Sequence, residues 1–267
     1  MRPILFQIGR TPVWSHDVFV TLGVAVAVVT SWQLARRRGR ADQNLLWIIA
    51  GGLLLAALFS RFGLVFRYLQ QADEPTLGGF MRSGGRTVLG GLAGGYLGVV
   101  LTKRLIGYRR ATGDLFAAPV ALGMAVGRIG CFLAERPGTV STVAWAVRVP
   151  ADAAPRIARC PACLTGAPMH PSFLYEIAFL AGAAGVLFAL SRRRPLAAWM
   201  VEGDLFKLFL LAYAVFRFFV EFVRGNPIMG FGLSGSQLMV LPSSLILAFY
   251  FLRRRRRALS PLAVVSS

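Results

Sequence analysis

The sequence predicts an all-α polytopic membrane protein of seven transmembrane helices, and three observations carry that prediction. Hydrophobic residues make up 56% of the 267-residue chain and charged residues only 15%. With a mean hydropathy of +0.61, the chain has too little polar surface for a soluble domain of this length. Seven apolar runs, each about as long as a membrane is thick, follow one another along it. Lys and Arg outnumber Asp and Glu by 30 to 11, an excess that in a soluble protein would suit nucleic acid. Here the basic residues fall in short bursts between the apolar runs, a pattern of membrane topology. No nucleic-acid partner is expected.

Residues 1–16 form a short lead ending in Trp14, Ser15 and His16. No apolar stretch followed by a small-residue cleavage site occurs there, so no removable signal peptide is expected. The first run, 18–35, stops at Arg36, Arg37, Arg38 and Arg40. The second, 45–66, has Arg61 and Arg67 near its end. A Gly-rich segment (77–85) leads to the third, 87–102, which stops at Lys103, Arg104, Arg109 and Arg110. The fourth is 115–134 and is followed by a polar loop, 135–170. The fifth, 171–190, is closed by Arg192, Arg193 and Arg194, and the sixth is 205–223. The seventh, 237–252, ends at five arginines, 253–257.

If the runs alternate in direction, the four arginine-rich ends lie on one side, because they follow runs one, three, five and seven. The positive-inside rule makes that side cytoplasmic. The expected topology is therefore N-out and C-in, with the 135–170 loop and the 225–235 loop outside and a cytoplasmic tail at 253–267. The whole chain, 1–267, reads as a single integral membrane domain without an internal repeat. Since sheet edges cannot face lipid, strand content is expected in the outer loop, where residues 143–149 alternate weakly.

Run six ends in YAVFRFFVEFVR (213–224). A helix turns about 100° per residue, so Tyr213, Arg217, Glu221 and Arg224 project within about 80° of one another. Phe216, Phe218, Phe219, Phe222 and Val223 occupy the rest of the circumference. Charges in a membrane helix face a cavity or a partner. A structural Arg217–Glu221 pair would satisfy part of this stripe, but the second arginine leaves positive charge over. With Arg61, Arg67, Arg128 and Glu176, seven charges lie towards the outward ends of their runs, five positive and two negative. An anionic ligand carrying acyl chains, such as a phospholipid headgroup, fits that balance, because guanidinium forks match phosphate. Snorkelling at the interface is the plain alternative for Arg67 and Arg224.

Gly90, Gly94 and Gly98, and likewise Gly123 and Gly127, repeat every four residues and suit close helix packing. Gly84, Gly85, Gly90 and Gly91 could also let the backbone approach a headgroup. His16 and His170 stand at the outer mouths of runs one and five, where either could exchange a proton near neutrality. Cys160 and Cys163, in CPAC, suit a disulfide outside the cell. A zinc set of Cys131, Cys160, Cys163 and His170 has only one CxxC spacing behind it. No metal or cofactor is expected.

Several segments together resemble the bacterial prolipoprotein diacylglyceryl transferase family. They are FQIG near the N-terminus, GG-x-x-x-x-GGLAGG leading into run three, GRIGCFL in run four, HPSFLYE opening run five, YAVFRFFVEFVR in run six and SGSQ opening run seven. The resemblance covers nearly the whole chain. It implies transfer of a diacylglyceryl group from phosphatidylglycerol to the lipobox cysteine thiol of a preprolipoprotein, in the bacterial inner membrane, with release of glycerol phosphate. By resemblance, Arg128 and Arg217 would hold the phosphate, Tyr213 and Glu221 would orient them, and Arg61, Gly90, Gly91, His170, Glu176, Arg224 and Gln237 would complete the site.

Three positions depart from the family pattern. Leu89 stands where the family has the histidine proposed as base, Cys131 where it has asparagine, and His16–Asp17 where it has tyrosine–glycine. His16 enters the same outer mouth and is the candidate replacement base. The departures keep a second reading open, a catalytically silent paralogue that binds anionic phospholipid or lipoprotein precursors. A lipid transporter is disfavoured by the absence of a repeat and of a charge path through the membrane.

Overall fold

The structure, a computed structural model, describes residues 1–62, 76, 78, 87–157, 160–192 and 200–264, with side chains to residue 257. Arg67, Gly84, Gly85, Arg193 and Arg194 lie outside the described residues. Among those described are seven long helices: α1 (Ser15–Arg37), α2 (Gln43–Phe62), α3 (Val88–Leu105), α4 (Gly113–Ala134), α5 (Ser172–Arg192), α6 (Asp204–Arg224) and α7 (Gly235–Val264). Each coincides with one predicted run to within a few residues, except that α7 continues well past residue 252. The protein is an all-helical, polytopic membrane protein. Five of these helices, α1, α2, α4, α5 and α7, are long and apolar enough to cross a membrane. The other two are less apolar for visible reasons. α3 carries five glycines and ends in Lys103 and Arg104, and α6 carries Asp204, Lys207, Arg217, Glu221 and Arg224.

The chain divides into two compact units, Met1–Leu34 with Ala111–Ser267, and Ala35–Arg110. In the second unit α2 and α3 pack antiparallel through the predicted glycine row. A Cβ at Gly90, Gly94 or Gly98 would strike the carbonyl oxygen of Phe59, Leu55 or Gly51 respectively. Backbone therefore lies against backbone at every fourth residue, as small-residue packing requires. Thr87 caps α3, its Oγ1 accepting from the Gly90 N–H at 3.2 Å, and its own N–H donates to the Ser60 carbonyl at 2.7 Å.

In the first unit α4 is the central post. Gly123 meets the Gly23 backbone of α1, and a Cβ at Gly130 would stand 3.0 Å from the His16 Cα. Glycine is thus what brings the start of α1 against the end of α4. At the opposite end of α4, buried Asp114 accepts the N–H groups of Gly203 at 2.9 Å and Leu205 at 3.1 Å. This carboxylate satisfies amides that begin α6 and complements its dipole. Asp204 beside it takes Lys207 Nζ at 2.8 Å and the hydroxyl of Tyr250, from α7, at 2.9 Å. α4 and α6 therefore run the same way, and α5 and α7 run against them. The ends of α4 and α6 meet the starts of α1, α5 and α7 at one pole of this unit.

Two short hairpins, Ile4–Ile8 with Thr11–Trp14 and Ile228–Gly230 with Leu233–Ser234, lie at that pole. They correct the expectation that strands belong to residues 143–149, which contribute only a bridge between Val147 and Met169. The second hairpin turns through Phe231 at φ +52° and Gly232 at φ +72°. Positive φ at both central residues is what a two-residue hairpin needs to match strand twist. The 135–170 loop builds a small core of Val149, Ala153, Ala154, Ile157 and Met169 around the Cys160–Cys163 disulfide.

The glycine row generates a stability prediction. Gly98→Leu, which drives a side chain into the Gly51 backbone, should lower the stability of the detergent-solubilised protein by at least about 1–3 kcal/mol. Gly95→Ala, whose Cβ would meet Ala56 Cβ at an ordinary 3.6 Å, should not. Thermal unfolding of both variants checks this, and equal midpoints would contradict it.

Candidate active site

The site grows from the amphipathic end of α6. Tyr213, Arg217 and Glu221 are buried, while Val215, Phe219 and Phe222 on the other faces are exposed. The polar stripe read from the sequence thus faces the protein and the phenylalanines face outward, as a helix bordering lipid requires. Burying charge costs free energy unless partners are supplied, so the partners define the site.

Glu176, in the first turns of α5 and fully buried, is the hub. Its Oε1 lies 2.7 Å from Arg128 Nη2 and accepts the Tyr213 hydroxyl at 2.6 Å. Its Oε2 lies 3.3 Å from Arg224 Nη1. Arg128 also donates to the Tyr213 oxygen at 3.4 Å. One carboxylate on α5 therefore gathers two guanidinium groups and a phenol from α4 and α6. Phe173, one turn earlier on α5, lies under both cations, 4.3 Å from Arg224 and 5.9 Å from Arg128. A ring face attracts cations held this way.

Arg217 forms the second part. Its Nη2 is 2.6 Å from Glu221 Oε2, one turn along α6. The contact is a close ion pair whose angles do not make a directed hydrogen bond, so Glu221 Oε2 has none among the described residues. Glu221 Oε1 accepts from Asn226 Nδ2 at 2.6 Å and Ser234 Oγ at 2.7 Å. Gln237 steadies this group from α7: its Oε1 accepts the Ser234 N–H at 2.9 Å and its Nε2 donates to the Phe218 carbonyl at 3.2 Å. Gln237 thus acts through Ser234 and Glu221. Arg217 Nη1 is buried with no hydrogen-bond partner among the described residues, so it offers donors to a ligand. Arg217 is also close enough to act electrostatically on Glu176, which ties the two parts into one field of three arginines and two glutamates.

At the edge of this field His16 meets Glu135, with Nε2 3.6 Å from Oε1. Glu135 also stands 3.8 Å from Arg224 Nη2. Cys131 is buried, and Arg128 Nη1 lies 3.6 Å from its Sγ. The sequence-predicted residues Arg128, Glu176, Tyr213, Arg217, Glu221, Arg224, Gln237 and His16 are therefore brought to one pole. His170 has a different neighbourhood, with Nδ1 3.1 Å from the Tyr175 hydroxyl, which itself accepts Trp145 Nε1 at 2.6 Å. Arg61, Gly90 and Gly91 belong to the Ala35–Arg110 unit, where Gly90 serves the close packing on Phe59. The four-residue zinc set does not assemble, since Cys160 and Cys163 are bonded to each other. Sequence reasoning missed Asn226, Ser234 and Glu135. Ser234 lies in the SGSQ motif, and Glu135 follows Cys131 by one turn; both signals were present without an assigned role.

A family model described as prolipoprotein diacylglyceryl transferase matches residues 3–253. Proteins named phosphatidylglycerol–prolipoprotein diacylglyceryl transferase are similar over most of their length. That of Gloeobacter violaceus is 30% identical over 266 residues, covering 95% of this chain and 93% of the relative. That of Chromohalobacter salexigens is 34% identical over 258 residues, covering 91% and 88%, and that of Pseudomonas aeruginosa is 31% identical over 240 residues, covering 83% and 80%.

The hub makes a direct prediction. Glu176→Gln keeps the volume but leaves Arg128 and Arg224 without their shared counter-charge, and should cost about 3–5 kcal/mol of stability. Tyr213→Phe, which removes one donor to the same carboxylate, should cost about 1–3 kcal/mol. Thermal denaturation in detergent orders the two, and an unchanged midpoint for Glu176→Gln would contradict the hub.

Proposed function

Because the chain belongs to the prolipoprotein diacylglyceryl transferase family, we propose that it transfers the diacylglyceryl group of phosphatidylglycerol to the lipobox cysteine of preprolipoproteins, releasing glycerol phosphate. The observation that carries this reading is the buried Arg217 Nη1, without a hydrogen-bond partner among the described residues, in one field with Arg128 and Arg224. The glycerol phosphate portion of phosphatidylglycerol lies in that field. Arg128 and Arg217 hold the phosphate oxygens, Glu176, Tyr213 and Glu221 fix the guanidinium planes, and Gln237 fixes Glu221. As the glyceryl C–O bond breaks, negative charge grows on the departing phosphate, and prearranged donors stabilise that growth more than they stabilise the starting lipid. By family resemblance, Arg61, Gly90, Gly91 and His170 are also assigned to substrate binding. The acceptor thiol is activated at the His16 corner of the site, since the chain carries Leu89 in place of the family's histidine.

The same reading places the chain in the bacterial inner membrane as one domain of seven crossing helices, N-out and C-in. Support comes from the alternation of α4, α5, α6 and α7 and from Arg192 and the arginines at 253–257, which lie towards the ends of α5 and α7 away from the site. The site then faces outward, the side on which exported lipoprotein precursors emerge. α3 and α6 also cross, the glycines of the one turned to α2 and the charges of the other to their partners on α4 and α5.

Purified protein given phosphatidylglycerol and a lipobox peptide should release glycerol phosphate and raise the peptide mass by one diacylglyceryl unit. Arg128→Ala and Arg217→Ala should each lower turnover by on the order of 10²–10³-fold, as removal of a transition-state donor does. Phosphatidylglycerol binding without any release, under conditions where a family member works, would instead establish the silent paralogue that Leu89 suggests.

A further inference from the structure

His16, Cys131 and Glu135 form a cluster at the edge of the arginine field, with no part in holding the phosphate. One donor atom from each lies within 4.8 Å of the others. The fold builds this cluster deliberately. Cys131 and Glu135 are one turn apart at the end of α4, hence on one face. His16 reaches them only because Gly130 admits the start of α1, with no Cβ to collide with the His16 backbone. A simple His16–Glu135 ion pair would not call for a buried free thiol as third member.

The surroundings point to a ligand. Each of the three donors has a further partner. Asp17 Oδ1 is 3.4 Å from His16 Nδ1, leaving Nε2 to face the cluster. Arg128 Nη1 lies 3.6 Å from Cys131 Sγ, and Arg224 Nη2 lies 3.8 Å from Glu135 Oε2. Metal-binding imidazoles characteristically give their other nitrogen to a carboxylate, and such outer partners orient the ligands. Nitrogen, sulfur and one carboxylate oxygen suit a borderline-soft ion, whereas Mg²⁺ and Ca²⁺ want oxygen. Metal–ligand bonds of about 2.0–2.3 Å in a tetrahedron place donors roughly 3.3–3.8 Å apart, so side-chain shifts of about half an ångström each would close the site.

We propose that His16 Nε2, Cys131 Sγ and the Glu135 carboxylate bind one thiophilic divalent cation of the Zn²⁺ class, and that its fourth position takes the acceptor's cysteine thiol. The second clause rests on the transferase reading above. A coordinated thiol gives up its proton, here to water, and stays nucleophilic as a metal-bound thiolate. Its sulfur forms a bond to the glyceryl carbon that carries the phosphate. The C–O bond breaks, and the electron pair leaves on the phosphate oxygen as glycerol phosphate beside Arg128 and Arg217. His16 is then a ligand, and the charges of the Glu135 carboxylate and the Cys131 thiolate, whose proton is released to water on metal binding, offset the cation next to the arginines.

The test uses the full chain in detergent, freed of metal and titrated with Co²⁺ alone. The expected result is about one equivalent bound, with tetrahedral d–d absorption and a thiolate-to-cobalt charge-transfer band. Cys131→Ser should abolish the charge-transfer band, and His16→Gln and the partly exposed Glu135→Gln should weaken uptake at least about tenfold. A lipobox peptide should shift the d–d bands, and its Cys→Ser analogue should not. No uptake, or equal uptake and spectrum in all three variants, each checked for monodisperse behaviour, overturns the site. Uptake that ignores the peptide thiol, or transfer equally fast in metal-free and Zn²⁺-loaded protein, overturns its role. A cobalt spectrum with these signatures in a protein that transfers no lipid sustains the cation site and refutes the transferase reading.

Discussion

The arrangement depends on one buried carboxylate. Glu176 is fully covered, yet it holds Arg128 and Arg224 within ion-pair distance and takes the Tyr213 hydroxyl. Without it two guanidinium groups would sit in the protein interior with nothing between them, a costly condition. With it, positive charge is concentrated at one place and oriented, while the carboxylate's capacity is used up. What it does not satisfy is Arg217, whose own partner, Glu221, takes only one of its amino groups. Arg217 Nη1 is left without a hydrogen-bond partner among the described residues, and this is where the proposed phosphodiester would bind.

The helices that carry these groups are aligned by smaller devices working away from the chemistry. Asp114 binds the first amides of α6 at the far pole and so sets its register on α4. Glycines at 23, 123 and 130 let α1 close on α4. The polar groups at the near pole then fall opposite one another because the helices alternate in direction. The second hairpin, between α6 and α7, turns Ser234 back onto Glu221. A chain without these glycines and caps could hold the same charges and fail to bring them together.

Much of this was legible in the sequence. Each of the seven helices was marked by its apolar run, and the Arg217–Glu221 pair by its spacing of one turn. The Gly90, Gly94 and Gly98 row marked a close helix contact, without naming α2 as the partner. Contacts between distant segments were not legible, because no local spacing encodes them: Arg128 with Glu176, Glu135 with His16, and Asp114 with the start of α6. The hairpins escaped because strands of two to five residues with irregular register show no alternation, and Phe231 does not advertise a positive φ as glycine would. The contact of His170 Nδ1 with the Tyr175 hydroxyl joins two residues of one motif, yet the motif did not mark them as partners.

The central claim is that the arginine field, through Arg217, awaits the phosphate of an anionic lipid. Retention of phosphatidylglycerol against diacylglycerol, measured by native mass spectrometry on wild type and Arg217→Ala, tests it most directly. The account predicts that the wild type prefers phosphatidylglycerol and that the variant binds it about ten- to a hundredfold more weakly, the worth of a charge-assisted contact. Equal retention of phosphatidylglycerol by the two proteins would contradict it.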